Sequence, residues 1–294
     1  MPCITYRRTW DTVLAFAHTG QAVFYTVAAA LPFFHAGVVP VTFQVADGRP
    51  GVNTTTYAIE ELFQANIVAI VAVFFFVTGL FHAIRAYMGE NIPEFDELLN
   101  NKAPQGSTEI LTRVSERRDR DRMLRWMEYS ISSTLMIYTI ALISGISDIY
   151  TLAGFGAANM AMVFFGMAGD WVKERSYMWY TFICGSIIGL APWLCVVSQT
   201  TILAIRVGAA SLPFTLSISI VLFVLFFSFA VVEAFYIRSF VNTKVDPEGK
   251  QRAGLRVVLE GEKTREESEF AYQILSAVAK TTLGGLVAGA MLSV

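Results

Sequence analysis

Charge is scarce in this chain. Only 16% of its 294 residues are Asp, Glu, Lys or Arg, where a soluble globular domain carries about 25%. Cysteine and histidine are scarcer, with three residues each. Three cysteines do not make a disulfide framework: Cys184 and Cys195 fall in one expected helix, too far apart along it to pair, and Cys3 stands apart. No metal site is expected. The net charge of −2 gives no indication of nucleic acid, and none is expected as a partner. The first apolar run is too long for a cleavable signal peptide, and Ala28-Ala29-Ala30 reads as helix interior.

Apolar residues fill the space, at 54% of the chain with a mean hydropathy of +0.52. A membrane-crossing helix needs about 20 of them in succession. Seven stretches qualify: Thr12 to Phe34, Leu62 to Ile84, Met123 to Ser147, Thr151 to Val172, Met178 to Ile205, Leu212 to Ile237 and Phe270 to Val294. A soluble bundle would keep one polar face on each helix, and these stretches do not. The expectation is an all-α membrane protein, a seven-transmembrane helix bundle forming a single domain over residues 1–294, with no internal repeat.

Lys and Arg are distributed unevenly across the connections. One side receives Arg7 and Arg8, the run from Arg85 through Lys102 to Arg125, then Lys173 and Arg175, and finally Arg238 through Arg265; the other receives Arg49 and Arg206. The positive-inside rule then puts the N-terminus in the cytoplasm and the C-terminus outside.

In the first extracellular connection, Val41-Thr42-Phe43-Gln44-Val45 alternates and Asp47 to Gly51 is dense in turn formers, which predicts a β-hairpin over residues 41–57. Asn53-Thr54-Thr55 matches a glycosylation acceptor, a tripeptide too common to weigh much. Two long cytoplasmic connections, 89–122 and 242–267, mix acids and bases. Residues Glu116 to Arg122 read as a solvated helical extension of the third span. Either loop could contact a signalling partner, and neither identifies one.

Lys280 is the one base deep inside an apolar stretch. A charged amine near mid-bilayer costs about 2.5–3.5 kcal/mol on insertion scales, so it is a functional residue by default. It escapes much of that cost as a Schiff base with a carbonyl compound. On a rise of 1.5 Å per residue, Lys280 lies roughly 15–18 Å into the bilayer and Glu128 roughly 8 Å, both from the cytoplasmic side. The Lys280 side chain leans toward its helix N-terminus, hence toward Glu128. This makes Glu128 the counterion candidate and Ser276, one turn before Lys280, a bridge between them. The plainer alternative pairs Glu128 with Arg125. His18 and Gln21 on span one, with Thr78 and His82 on span two, reach a similar depth and predict a hydrated polar pocket. His35 reads as interfacial. Glu233 on span six is either an interfacial acid paired with Arg238 or a proton relay. Pro192-Trp193, Phe223, Phe226, Phe227 and Phe229 could clamp a long conjugated ligand, although aromatic stripes are usually ordinary packing; Pro192 would kink its helix. Gly285 and Gly289 have small-xxx-small spacing, common enough to prove no dimer.

Two strings, Arg125-Trp126-Met127-Glu128-Tyr129-Ser130-Ile131-Ser132 and Ser276-Ala277-Val278-Ala279-Lys280, resemble those of heliorhodopsins, a retinal-protein family. His18 with Gln21-Ala22, Thr78 with His82, and Pro192-Trp193 add to the resemblance, which covers the whole transmembrane core and leaves out the long cytoplasmic loops. It implies a non-enzymatic, light-sensing photoreceptor holding all-trans retinal as a protonated Schiff base on Lys280. Glu128 would be the counterion, with Ser276, Thr78, Ser132, Trp193 and Phe226 around the chromophore. His18 and His82 would receive the proton after light isomerises the chromophore, and a homodimer would form through the outer hairpin. Thr78 stands where the family commonly has Ser and keeps the hydroxyl. Glu233 stands where an uncharged residue is more usual, which leaves a light-gated proton channel using Glu128 and Glu233 as the alternative. A transporter binding substrate through a Lys280–Glu128 ion pair would show broken, paired half-helices, and none are visible in the sequence.

Overall fold

The structure is a computed structural model and describes residues 7–31, 38–47, 56–88, 107–172, 174–208, 213–239 and 255–292. Among these residues the elements run α1 (Arg7–Ala30), β1 (Val38–Asp47), β2 (Thr56–Asn66), α2 (Ile67–Met88), α3 (Ser107–Ile143), α4 (Ile149–Val172), α5 (Arg175–Val207), α6 (Pro213–Ser239) and α7 (Leu255–Leu292). Consecutive helices pack on one another, and α7 returns to touch α2. The inner helix is α3, which contacts α2, α4, α5, α6 and α7. Among the described residues, seven helices form a bundle with α3 on the inside.

Five of them (α1, α2, α4, α5 and α6) are long and apolar enough to cross a membrane. The sequence reading expected the same of the third and seventh apolar stretches. Their helices extend well beyond those stretches, and α3 carries Glu128, Ser130, Ser132, Ser133 and Thr134 while α7 carries Gln273, Ser276 and Lys280. Polar side chains aimed inward dilute the hydropathy of the two site-bearing helices. Outward-facing residues are apolar instead, as with Phe16 (77% exposed), Ile187 (67%) and Ile220 (62%). A soluble monomer rarely exposes so much contiguous apolar surface, and the chain is a helical integral membrane protein.

β1 and β2 pair antiparallel, with Val38 opposite Asn66 and an irregularity at Val41/Thr42. Residues 48–55 between them, with the glycosylation tripeptide, lie outside the described residues, as do Cys3 and His35. Strand β2 runs to Asn66, so the second apolar stretch does not start as helix at Leu62. Asn66 is the reason. Its Oδ1 accepts from the Ala69 N–H at 3.1 Å, a cap that sets the start of α2 one residue later.

The α3–α4 connection is just as local in origin. Gly145 adopts φ 80°. Its N–H reaches the Leu142 carbonyl and the Ile146 N–H reaches that of Ala141, the two bonds of a Schellman ending that needs a left-handed residue. Asp148 then caps α4 through the Thr151 N–H at 2.8 Å. The strand pair leans on this turn: the Thr42 N–H donates to the Ser147 carbonyl at 2.9 Å, and Val41 is buried.

Part of the expected 89–122 loop is helix. α3 begins at Ser107, and Arg117, Arg118, Asp121 and Arg122 are buried rather than solvated. Likewise α7 begins at Leu255, inside the expected 242–267 loop. The remainder, 89–106 and 242–254, lies outside the described residues.

Candidate functional site

Lys280 and Glu128 meet in the middle of the bundle. They are 2% and 1% exposed, and the Lys280 amine donates directly to Glu128 Oε1. The backward lean of helical side chains closes the offset in depth along the two helices. Thr78 and Ser132 both donate to the same oxygen at 3.1 Å. Ser132 follows Glu128 by one turn on α3, whereas Thr78 reaches across from α2. Ser276 is buried beside Lys280 and lines the same cavity. It does not bridge the pair, because the amine reaches the carboxylate unaided.

Arg125 is not the partner of Glu128. It bonds Glu269 on α7 at 2.6 Å and lies 3.9 Å from Asp170 on α4. Arg122 joins the same network, binding Asp170 through two nitrogens at 2.8 and 2.6 Å and Glu269 at 2.9 Å. The Trp126 indole N–H also donates to Asp170, at 2.6 Å. This lattice ties α3, α4 and α7 together between the bundle centre and the N-terminal extension of α3. In the sequence Arg122 read as connection and Arg125 as interfacial, and Asp170 and Glu269 were not singled out. Only the spacing in α3, at 122, 125 and 126, hinted at a shared inward stripe.

A cavity of about 340 Å³ opens beside Lys280, within the roughly 300–1,000 Å³ usual for small-molecule sites. Lys280, Ser276 and Ser132 lie along it, and Trp193, Phe226, Met162, Leu190 and Ile140 form apolar wall. Trp193 packs tilted against Phe226 at 5.4 Å between ring centroids and edge-on against Phe223 at 5.7 Å. Phe227 and Phe229 also line the cavity. Helix α5 continues unbroken from Arg175 to Val207 through Pro192. Small residues shape this volume as well: a Cβ on Gly166 would strike the Trp126 indole.

Glu233 is buried, lines the cavity and accepts a hydrogen bond from the Tyr272 hydroxyl. The sequence alternative placed it against Arg238, one turn nearer the helix end. Burial against α7 gives it Tyr272 instead.

The histidines lie beyond Glu128 from the cavity. His18 and His82 stack, with ring centroids 5.6 Å apart and planes 20° from parallel. His18 Nδ1 is 2.8 Å from Gln21 Oε1, and His82 Nδ1 is 2.8 Å from Asp11 Oδ1. Gln21 also donates to Thr281 on α7 at 3.1 Å. Two partners were missed in the sequence. Asp11 falls one residue before the first apolar stretch and was not singled out, and Arg85 falls one residue after the second and was counted with the cytoplasmic connection. Arg85 is 3% exposed and donates to Glu128 Oε2 at 3.4 Å, so it belongs to the site and not to the cytoplasmic connection. The signal that could have found it is the i, i+4, i+7 spacing of Thr78, His82 and Arg85 on one face.

A comparison with curated proteins gives no match. The heliorhodopsin family model matches residues 113–245. That range includes Glu128, Ser132, Trp193, Phe226 and Glu233 and ends before Lys280. Over those residues, a little under half of the chain, it is similar to heliorhodopsins.

Proposed function

We propose that the protein is a light-sensing photoreceptor, with all-trans retinal in the cavity as a protonated Schiff base on Lys280 and Glu128 as its counterion. One observation carries the proposal: the amine of Lys280, almost wholly buried, lies at a largely apolar cavity and rests on a carboxylate. A buried cationic nitrogen needs such a partner, since desolvation otherwise drives its proton off. Bound retinal would supply the light absorption and the double-bond isomerisation. The chain's own residues do the rest. Glu128 holds the positive nitrogen, Thr78 and Ser132 fix the carboxylate that does so, and Trp193 with Phe226 excludes water from the apolar wall. In His18 and His82 each Nδ1 faces an acceptor oxygen, which assigns the ring proton to Nδ1 and leaves Nε2 as the basic atom. Both rings are thereby suited to accept a proton.

Membranes containing the protein and retinal should be coloured, and Lys280→Ala should abolish the visible band. A retained band in that variant would overturn the attachment site.

The burial of Glu233 on the same cavity as Lys280 favours a second reading, a light-gated proton conductance using Glu128 and Glu233. Photocurrents under voltage clamp that vanish in Glu233→Gln would establish it, and their absence in the unaltered protein would leave the sensor. The cytoplasmic N-terminus and a homodimer through the strand pair belong to the same proposal. The dimer is supported by the exposed Ile59, Leu62 and Phe63 on β2.

A further inference from the structure

Glu128 has two oxygens and two cations. Oε1 takes Lys280, Thr78 and Ser132, while Oε2 faces Arg85 NH2 at 3.4 Å. The same guanidinium points its NH1 at Asp11 Oδ1, 4.0 Å away. Asp11 Oδ1 also receives Gln273 Nε2 at 3.2 Å and meets His82 Nδ1 at 2.8 Å. All of these side chains are buried. A guanidinium keeps its charge in proteins, and its rigid fork can serve two carboxylates where an ammonium is a point charge.

We propose that Arg85 is a positioning residue that shares the Glu128 carboxylate with Lys280, and that Asp11 sets the division by drawing Arg85 toward α1. This rests on the retinal reading above but concerns residues which that reading leaves without a role. Two opposite charges neutralise two others along the line Lys280, Glu128, Arg85, Asp11. Altering the far pair therefore changes how fully Glu128 serves the near one, since Coulomb attraction is strong where water is excluded. Arg85 Nε, in turn, is buried with no partner. The guanidinium is thus held by its two carboxylates and not by a full set of bonds, as a group free to lean either way would be.

The test is the absorption maximum of the retinal-loaded protein, read with a double-mutant cycle. A counter-charge nearer the imine nitrogen favours the ground state and moves absorption to the blue. Arg85→Gln leaves Glu128 wholly to Lys280 and should shift the band blue. Asp11→Asn returns Arg85 to Glu128 and should shift it red. If Asp11 acts through Arg85, the Asp11→Asn shift disappears on the Arg85→Gln background. An unmoved band in both single variants, or an equal Asp11→Asn shift on both backgrounds, overturns the proposal. Should Arg85→Gln fail to fold, Arg85→Lys serves: it keeps the charge without the fork, and the Asp11→Asn shift should shrink upon it. The retinal-free protein supplies a second readout, in which the melting losses of Asp11→Asn and Arg85→Gln should be non-additive; additive losses overturn the bridge. A colourless wild-type protein would instead count against the photoreceptor reading, and the melting cycle would still decide this one.

Discussion

Lys280, Thr78 and Ser132 converge on a single oxygen of Glu128. That crowding makes the carboxylate the group most sensitive to substitution in the site. Glu128→Gln removes the counter-charge and keeps the shape, so the absorption band should move to the red; a band left at the wild-type position would remove Glu128 as counterion. Lys280 was legible in the sequence because a charge in the middle of an apolar run has no cheap explanation, and Glu128 followed from it as the acid toward which its side chain leans. Arg85 and Asp11 were not legible, because a charge at the end of such a run has a cheap explanation. It can be interfacial, and nothing in a single string of residues says that neighbouring helices extend past it. Ser276 was expected as a bridge because it lies between the two, one turn before Lys280, and spacing along a helix does not say that the amine reaches Glu128 directly.

Among the elements, α3 depends most on charges held by its neighbours. Arg122 and Arg125 anchor it to Asp170 on α4 and Glu269 on α7. Removing one member of a buried ion pair strands its partner without water, at a cost of about 3–5 kcal/mol. Glu269→Ala should therefore lower the melting temperature markedly in detergent, whereas Glu109→Ala, exposed on the same α3 helix, should leave it nearly unchanged. Equal, small effects would contradict the burial of the lattice. The helices themselves were readable from the apolar runs. Their ends were not, because they depend on single caps: Asn66 starts α2 after a strand that runs through apolar Leu62 and Phe63, and Gly145 stops α3 before Ser147. The charged stretch from Glu116 to Arg122 looked solvated for a similar reason. Its alternating signs suit self-pairing on one helix, and only tertiary packing brings Asp170 and Glu269 to it.

For the whole molecule, the strand pair and the α3–α4 turn lie together at one end of the bundle, and the buried arginine lattice lies toward the other. In the proposed topology, which rests on the distribution of bases, the arginine-rich end faces the cytoplasm. A tag before Met1 should survive protease added to intact cells and one after Val294 should be cut; the reverse pattern would invert the topology. Architecture and site both follow from one constraint: buried charges need partners, and the line Lys280, Glu128, Arg85, Asp11 meets that need where an apolar cavity reaches Lys280. The most direct test is to reduce the retinal-loaded protein with borohydride and map the modified peptide. The retinyl mass should be found on Lys280 alone, and an unmodified Lys280 in coloured protein would contradict the assignment.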